Sequence, residues 1–209
     1  MDLTTYSGLR AAIADYLGRS DLENQIPAFI SLAEARLNRE LRIRAMEKVS
    51  NAVTSAGEGT VAKPSDFLEA RTLVLETSPQ RVLELRTPQQ LEESRAASPG
   101  GGVPAYYAII GDQIHLAPIP QAVTGLKLTY YGRLTPLSDN GATNEILPNN
   151  PDVYLYGALV EAEPYLMNDE RLPMWGSMFD RAVQAIKGAD DREAWNAGQL
   201  STKVDIRVA

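Results

Sequence analysis

The sequence predicts an α+β protein in which N- and C-terminal helices form one bundle and a mainly antiparallel β domain is inserted between them. Three observations carry this reading. Apolar residues recur at helical spacing over residues 4–44 and again over 151–197. The stretch between them alternates apolar with polar residues and is punctuated by glycine and proline. The order helices, strands, helices lets both chain ends share one core, whereas two separate helical pairs would each lack one. The expected divisions are 1–45 with 150–198 for the bundle, 46–149 for the β domain and 199–209 for an extended C-terminal tail.

In chain order, Thr4 or Thr5 can cap a first helix with Leu9, Ile13, Tyr16 and Leu17 on one face, stopped by Gly18. Asp21 opens the next segment. There Ile26, Phe29, Ile30, Ala33, Leu37 and Leu41 form the strongest amphipathic stripe, with Pro27 tolerable only in the first turn. Leu83 and Leu85 alternate with Glu84 and Arg86, and Leu126, Leu128 and Tyr130 alternate with Lys127, Thr129 and Tyr131.

Tyr106–Ile110 and Gln113–Ala117 flank Gly111-Asp112, a two-residue hairpin signal. Pro118 and Pro120 then end pairing, because neither donates a backbone hydrogen bond. Thr87, Pro88 and Gln90 spell a capping box and a short helix within the strands. Residues 96–104, with Gly100, Gly101 and Gly102, read as a flexible surface loop.

Asn149 or Asn150 and then Pro151 open a helix containing Val153, Tyr156, Leu159 and Val160. After an irregularity at Pro164, a last helix carries Trp175, Met178, Phe179, Ala182, Val183 and Ile186. Val204, Ile206 and Val208 alternate with charged residues in the tail.

Composition narrows the chemistry. There is no cysteine, which excludes disulfides, thiol catalysis and cysteine-ligated zinc. A single histidine, His115, rules out metal sites built on paired histidines, and no nucleophile-elbow sequence accompanies it. The triple glycine lacks the Lys-Ser/Thr pair of a phosphate-binding loop, and Asp169-Glu170 and Asp190-Asp191 with Glu193 lack calcium-loop spacing. No catalytic, cofactor-binding or metal-binding residue is therefore expected.

The net charge of -7 weighs against a general nucleic-acid binder but suits the wall of a DNA conduit, where repulsion keeps the duplex from sticking. The N-terminus has no basic region followed by an apolar stretch, and the longest apolar run is far shorter than the roughly 20 residues a bilayer span needs, so no membrane partner is expected.

What remains are candidates for protein contact. Arg36, Arg39, Arg42 and Arg44 lie beside the apolar stripe of the second helix and just beyond it. Two readings stand: a solvated flank paired with Glu34, Glu40 or Glu47, or a subunit contact or channel-facing patch. Trp175 fits the core, whereas Trp195 near the tail is a candidate interface anchor. Val204, Ile206 and Val208 are candidates for a docking strand that gains backbone partners only on a neighbouring sheet edge or groove.

Several segments also resemble a known family. They are Tyr6–Leu17, Ser20-Asp21-Leu22, Ile26-Pro27-Ala28-Phe29-Ile30 and Ala33-Glu34-Ala35-Arg36-Leu37-Asn38-Arg39-Glu40-Leu41. Pro64-Ser65-Asp66-Phe67-Leu68-Glu69, Gly111-Asp112-Gln113-Ile114 before Pro118 and Pro120, and Asn150-Pro151-Asp152 complete the ordered set. The chain resembles the bacteriophage head-to-tail adaptors, also called tail tubular protein A or gatekeeper-type connectors. No single motif is diagnostic; their order along nearly the whole chain carries the resemblance.

The resemblance implies a helical bundle with an inserted β domain and no catalytic residues. It implies a homo-oligomeric ring of twelve copies in the virion, between the portal protein and a tail nozzle or tail tube protein. Genomic DNA would pass through its lumen without sequence-specific binding, and the subunit would be made in the host bacterial cytoplasm. Two other classes stay open at this point: a small nucleic-acid-binding or regulatory module using the helix-2 arginines, and a tail-associated hydrolase with a carboxylate pair assembled by folding.

Overall fold

The structure, a computed structural model, describes residues 2–166 and 170–197. Among these are six α-helices and a seven-stranded mixed sheet, so the class is α+β. The chain divides into two compact units. One draws on Met1–Ile43 and the chain from Leu134 onward, and the other is Arg44–Arg133. Residues 134–149, expected with the strands, thus group with the helices.

In the helical unit, α1 (Tyr6–Leu17) is capped by Thr5, whose hydroxyl accepts from the Gly8 amide at 3.3 Å. Its inner face is Leu9, Ala12, Ile13 and Leu17; Tyr16, expected on that face, is exposed. A 3-10 turn over Ser20–Leu22 leads into α2 (Ile26–Glu40), with Pro27 in its first turn, where no intrahelical donor is lost. The whole expected stripe is buried, with Ala33, Leu37 and Leu41 fully so.

The helix α4 (Pro151–Glu161) packs against α1, α2 and α6 (Leu172–Ala197), with the short α5 (Glu163–Leu166) between. Being covered on several sides, α4 buries Val153, Tyr154, Leu155, Gly157, Ala158 and Leu159, which span more than one face. At Gly157 a Cβ would meet Ala33 Cβ and Phe179 Cε2 at 3.1 Å each, so this glycine is what lets α2 and α6 come close. Trp175, Phe179, Ala182, Val183 and Ile186 are the buried side of α6.

The β unit orders its strands β1-β7-β3-β4-β5-β6-β2. They are β1 (Glu47–Val53), β2 (Thr60–Ala62), β3 (Phe67–Leu75), β4 (Arg81–Leu85), β5 (Tyr106–Ile110), β6 (Gln113–Ala117) and β7 (Gly125–Gly132). All pairs are antiparallel except β4 with β5, which α3 (Pro88–Ala96) separates in sequence. One apolar cluster joins Leu73 and Leu75 of β3, Leu83 of β4, Tyr107 of β5, Ile114 and Leu116 of β6, and Leu126, Leu128 and Tyr130 of β7. Leu85 does not follow Leu83 inward; it is more than half exposed.

The capping box of α3 forms in full, with Thr87 Oγ1 accepting from the Gln90 amide at 3.3 Å and Gln90 Oε1 accepting from the Thr87 amide at 3.2 Å. The glycine loop is pinned. Gly101 sits at φ +73° and donates to Ser98, and the Gly102 amide donates to the Ile119 carbonyl at 2.8 Å.

Candidate interaction surfaces

Inside the helical unit, residues 134–147 form a strap held by side chains one helical turn apart on α2. Asn38 Oδ1 accepts from the Leu134 amide at 2.9 Å and Glu34 Oε1 accepts from the Leu137 amide at 2.8 Å. Leu134, Leu137, Ile146 and Leu147 fill the space beneath, and the Tyr6 amide donates to the Ala142 carbonyl at 2.7 Å. Asn144 bridges inward by donating to the Tyr154 hydroxyl at 2.6 Å. Glu34 is only 7% exposed, and burial pushes its carboxyl up to about 7; the Leu137 amide opposes the shift and the nearby Glu145 adds to it. Glu34 and Asn38 therefore position the backbone of the strap.

In the β unit, Asp66 accepts from Lys48 Nζ and from the Tyr130 hydroxyl, both at 2.9 Å. Burial pushes this carboxyl up, but the two donors outweigh it and hold Asp66 below the usual range. Burial, together with the bond to Asp66, raises Tyr130 to about 12. The trio ties β1, β7 and the β2–β3 connection together, which is a structural task. His115 lies on β6 opposite Thr60 and Ala108. Among the described residues no group of three or more His, Asp or Glu could hold a metal ion. Among them, too, no helix is long and apolar enough to cross a membrane.

The arginines of α2 separate. Arg36 is engaged within its own unit: Nε donates to Glu40 at 2.8 Å, the guanidinium reaches Asp180 at 3.6 Å, and it stacks 4.3 Å over the Phe179 ring. Arg39 is exposed in the last turn. Arg42 is half-buried and donates to the Asn38 carbonyl at 2.9 Å, satisfying an orphan acceptor at the helix end. Arg44 is half-buried in the 3-10 turn Arg44–Met46 of the other unit. Trp195 falls on α6, but its side chain lies outside the described residues, as do Val204, Ile206 and Val208.

Two exposed surfaces carry no signal in the sequence. At the α1 terminus, Arg19 donates to the Tyr165 carbonyl and Arg171 to the Tyr16 carbonyl, each at 3.0 Å. This crossed clasp caps two helix C-termini with guanidinium groups, where the dipole favours cations. It leaves the rings of Tyr16 and Tyr165 nearly half exposed. At one end of the β unit, Val53, Val82, Val103 and Val123 are 56–71% exposed. Val82 and Val103 line one depression; Val103, Pro104, Pro120 and Thr124 line its neighbour. Isolated surface valines carry no signal from sequence; only the fold gathers these four.

Charge also separates by unit. Arg44–Arg133 holds nine basic and nine acidic residues, so the net charge of -7 belongs wholly to the helical unit.

No curated protein matches the sequence. The family model described as SU10 adaptor protein matches residues 4–203, which takes in both units. This match across nearly the whole length shows the family, and the α+β architecture agrees with it: the chain belongs to the SU10 adaptor protein family, a family of bacteriophage adaptors.

Proposed function

We propose that this adaptor is a structural ring subunit of the phage head-to-tail junction. It joins the portal protein to the tail nozzle or tail tube and surrounds the DNA channel. The observation that carries the reading is the family match over residues 4–203. The assembled form is a ring of twelve copies in the virion, and the subunit carries out no chemistry of its own. The acidic helical unit supports a role beside DNA, since a surface of net charge -7 disfavours adhesion of the duplex as it passes. Arg36, Arg39, Arg42 and Arg44 are the candidates for contact between subunits, and Trp195 for an anchor.

The tail residues Val204, Ile206 and Val208 are the proposed docking strand for the portal. Adding a strand to a sheet edge or groove gains backbone hydrogen bonds and buries β-branched side chains worth about 1.5–3 kcal/mol each before ordering costs. A ring multiplies that gain across its copies. The test is co-sedimentation with purified portal, comparing the full chain with one ended after Leu200. The expected result is portal binding by the full chain, lost on truncation while the melting temperature stays unchanged. Failure of the full chain to bind portal contradicts the junction role; equal binding by the truncated chain contradicts only the docking strand.

A further inference from the structure

We propose that the strap 134–147 is a latch that lifts from α2 as one body, and that Glu34 is the group through which pH opens it. The strap has neither helix nor strand of its own. Its two limbs are tied to each other instead. Glu145 accepts from the Thr135 amide at 3.0 Å and from the Thr135 hydroxyl at 2.8 Å, and Asn144 donates to the Thr135 carbonyl at 3.0 Å. The tip closes on itself, with the Ser138 amide donating to the Gly141 carbonyl and the Gly141 amide to the Ser138 hydroxyl. A loop whose limbs meet and whose polar groups satisfy one another moves as a unit.

The bonds that hold this unit down run to three helices. Leu134 and Leu137 are held by Asn38 and Glu34 of α2, Ala142 by the Tyr6 amide of α1, and Asn144 by Tyr154 of α4. Arg10 of α1 pairs with Asp139 at 3.4 Å, an exposed contact that adds little. Of the buried anchors, Glu34 is the one that changes charge near neutral pH; burial pushes the Tyr154 hydroxyl up, out of that range.

The surroundings of Glu34 make its charge costly while the strap is down. The carboxyl is buried, and the charged group acting on it is Glu145 of the strap, which has the same sign. From α1 and α4 it faces Tyr6 and Tyr154, whose hydroxyls burial raises. Arg10 lies over the Tyr6 ring and is engaged with Asp139, and Arg36 is engaged with Glu40 and Asp180. Lifting the strap carries Glu145 away and lets water reach Glu34. The Leu137 amide, lost on opening, works against this, but burial is the larger influence.

Glu34 thus binds its proton more tightly in the closed form, at about 7, than in the open one, near the ordinary 4.5. Opening grows as pH rises from 4.5 through 7 and levels off above. Leu134, Leu137, Ile146 and Leu147 are buried with the strap in place, so opening uncovers an apolar seat and releases the first amide of α1.

Hydrogen exchange of the full chain between pH 5 and 8, corrected for the intrinsic rate, tests the latch. The Leu134 and Leu137 amides are expected to exchange faster than those of α2 and α4 at every pH. Their opening constant is expected to rise by roughly tenfold or more across the range. Glu34→Gln abolishes the rise, and Glu145→Gln, which leaves Glu34 in place, reduces it. Strap amides that exchange only together with those of α2 and α4 overturn the latch. A flat profile in the wild type, or an undiminished rise in Glu34→Gln, overturns the role of Glu34.

Discussion

Glu34 shows how far a single position can depart from its sequence pattern. Within the segment Ala33–Leu41 the apolar stripe was legible, and Leu37 is fully buried as expected. From sequence Glu34 is only one possible partner for arginines, because a glutamate beside an apolar stripe ordinarily faces water. The structure turns it inward, where with Asn38 it satisfies amides of a strap a hundred residues away in sequence. No local signal reports such a pairing, since it is set by where the chain returns.

The position has a pH signature. Its carboxyl is raised to about 7 in the folded protein, above the ordinary value of 4.5, so the folded state binds the proton more tightly than the unfolded state. The associated stability is fully present below pH 4.5 and is lost as pH rises through about 7. Glu34→Gln keeps an oxygen to accept from Leu137 and removes the titration. It is therefore expected to match wild type near pH 4 and to exceed it by on the order of 2 kcal/mol near pH 8. Denaturant unfolding at the two pH values checks this; an identical pH dependence in the two proteins contradicts it.

Elements were legible where local chemistry decides them. The α2 stripe, the Gly111-Asp112 hairpin and the α3 capping box all stand where pattern and turn residues put them. The less legible ones have physical reasons. The edge strand β1 inverts the usual alternation: Val49 and Val53 are more than half exposed, and its partly covered positions are Glu47, Lys48, Ser50 and Ala52. Two register shifts against β7 interrupt the period of β3. Tyr154 and Leu155, absent from the expected face of α4, are buried because neighbours cover that helix on several sides. The glycine loop reads as flexible from composition, yet its amides are bonded to Ser98 and Ile119.

The capping box gives the element-scale prediction. Thr87→Ala removes the acceptor for the Gln90 amide and should destabilise the protein by about 1 kcal/mol. Thermal or denaturant melting measures it. A change below a few tenths would mean that α3 is held by the apolar contacts of Leu91 and by the bonds of Arg95 to the Leu116 and Gly59 carbonyls, and that the cap adds nothing.

For the whole molecule, the sequence order alone placed helices at both ends around a β insertion, and the class α+β follows from the structure. The return at Leu134 was not legible, because 134–149 carries neither helical nor strand periodicity and is placed by the strap's bonds to α2. The exposed surfaces were invisible for a related reason: valines distant in sequence meet only through strand register. Family membership rests on the match across residues 4–203, and the junction role is proposed from it. Electron microscopy of the purified chain added to isolated portal-bearing heads tests that role most directly. The account predicts a closed ring with a central opening stacked on the portal vertex. Heads left bare at saturating protein, with the chain remaining monomeric beside them, would contradict it.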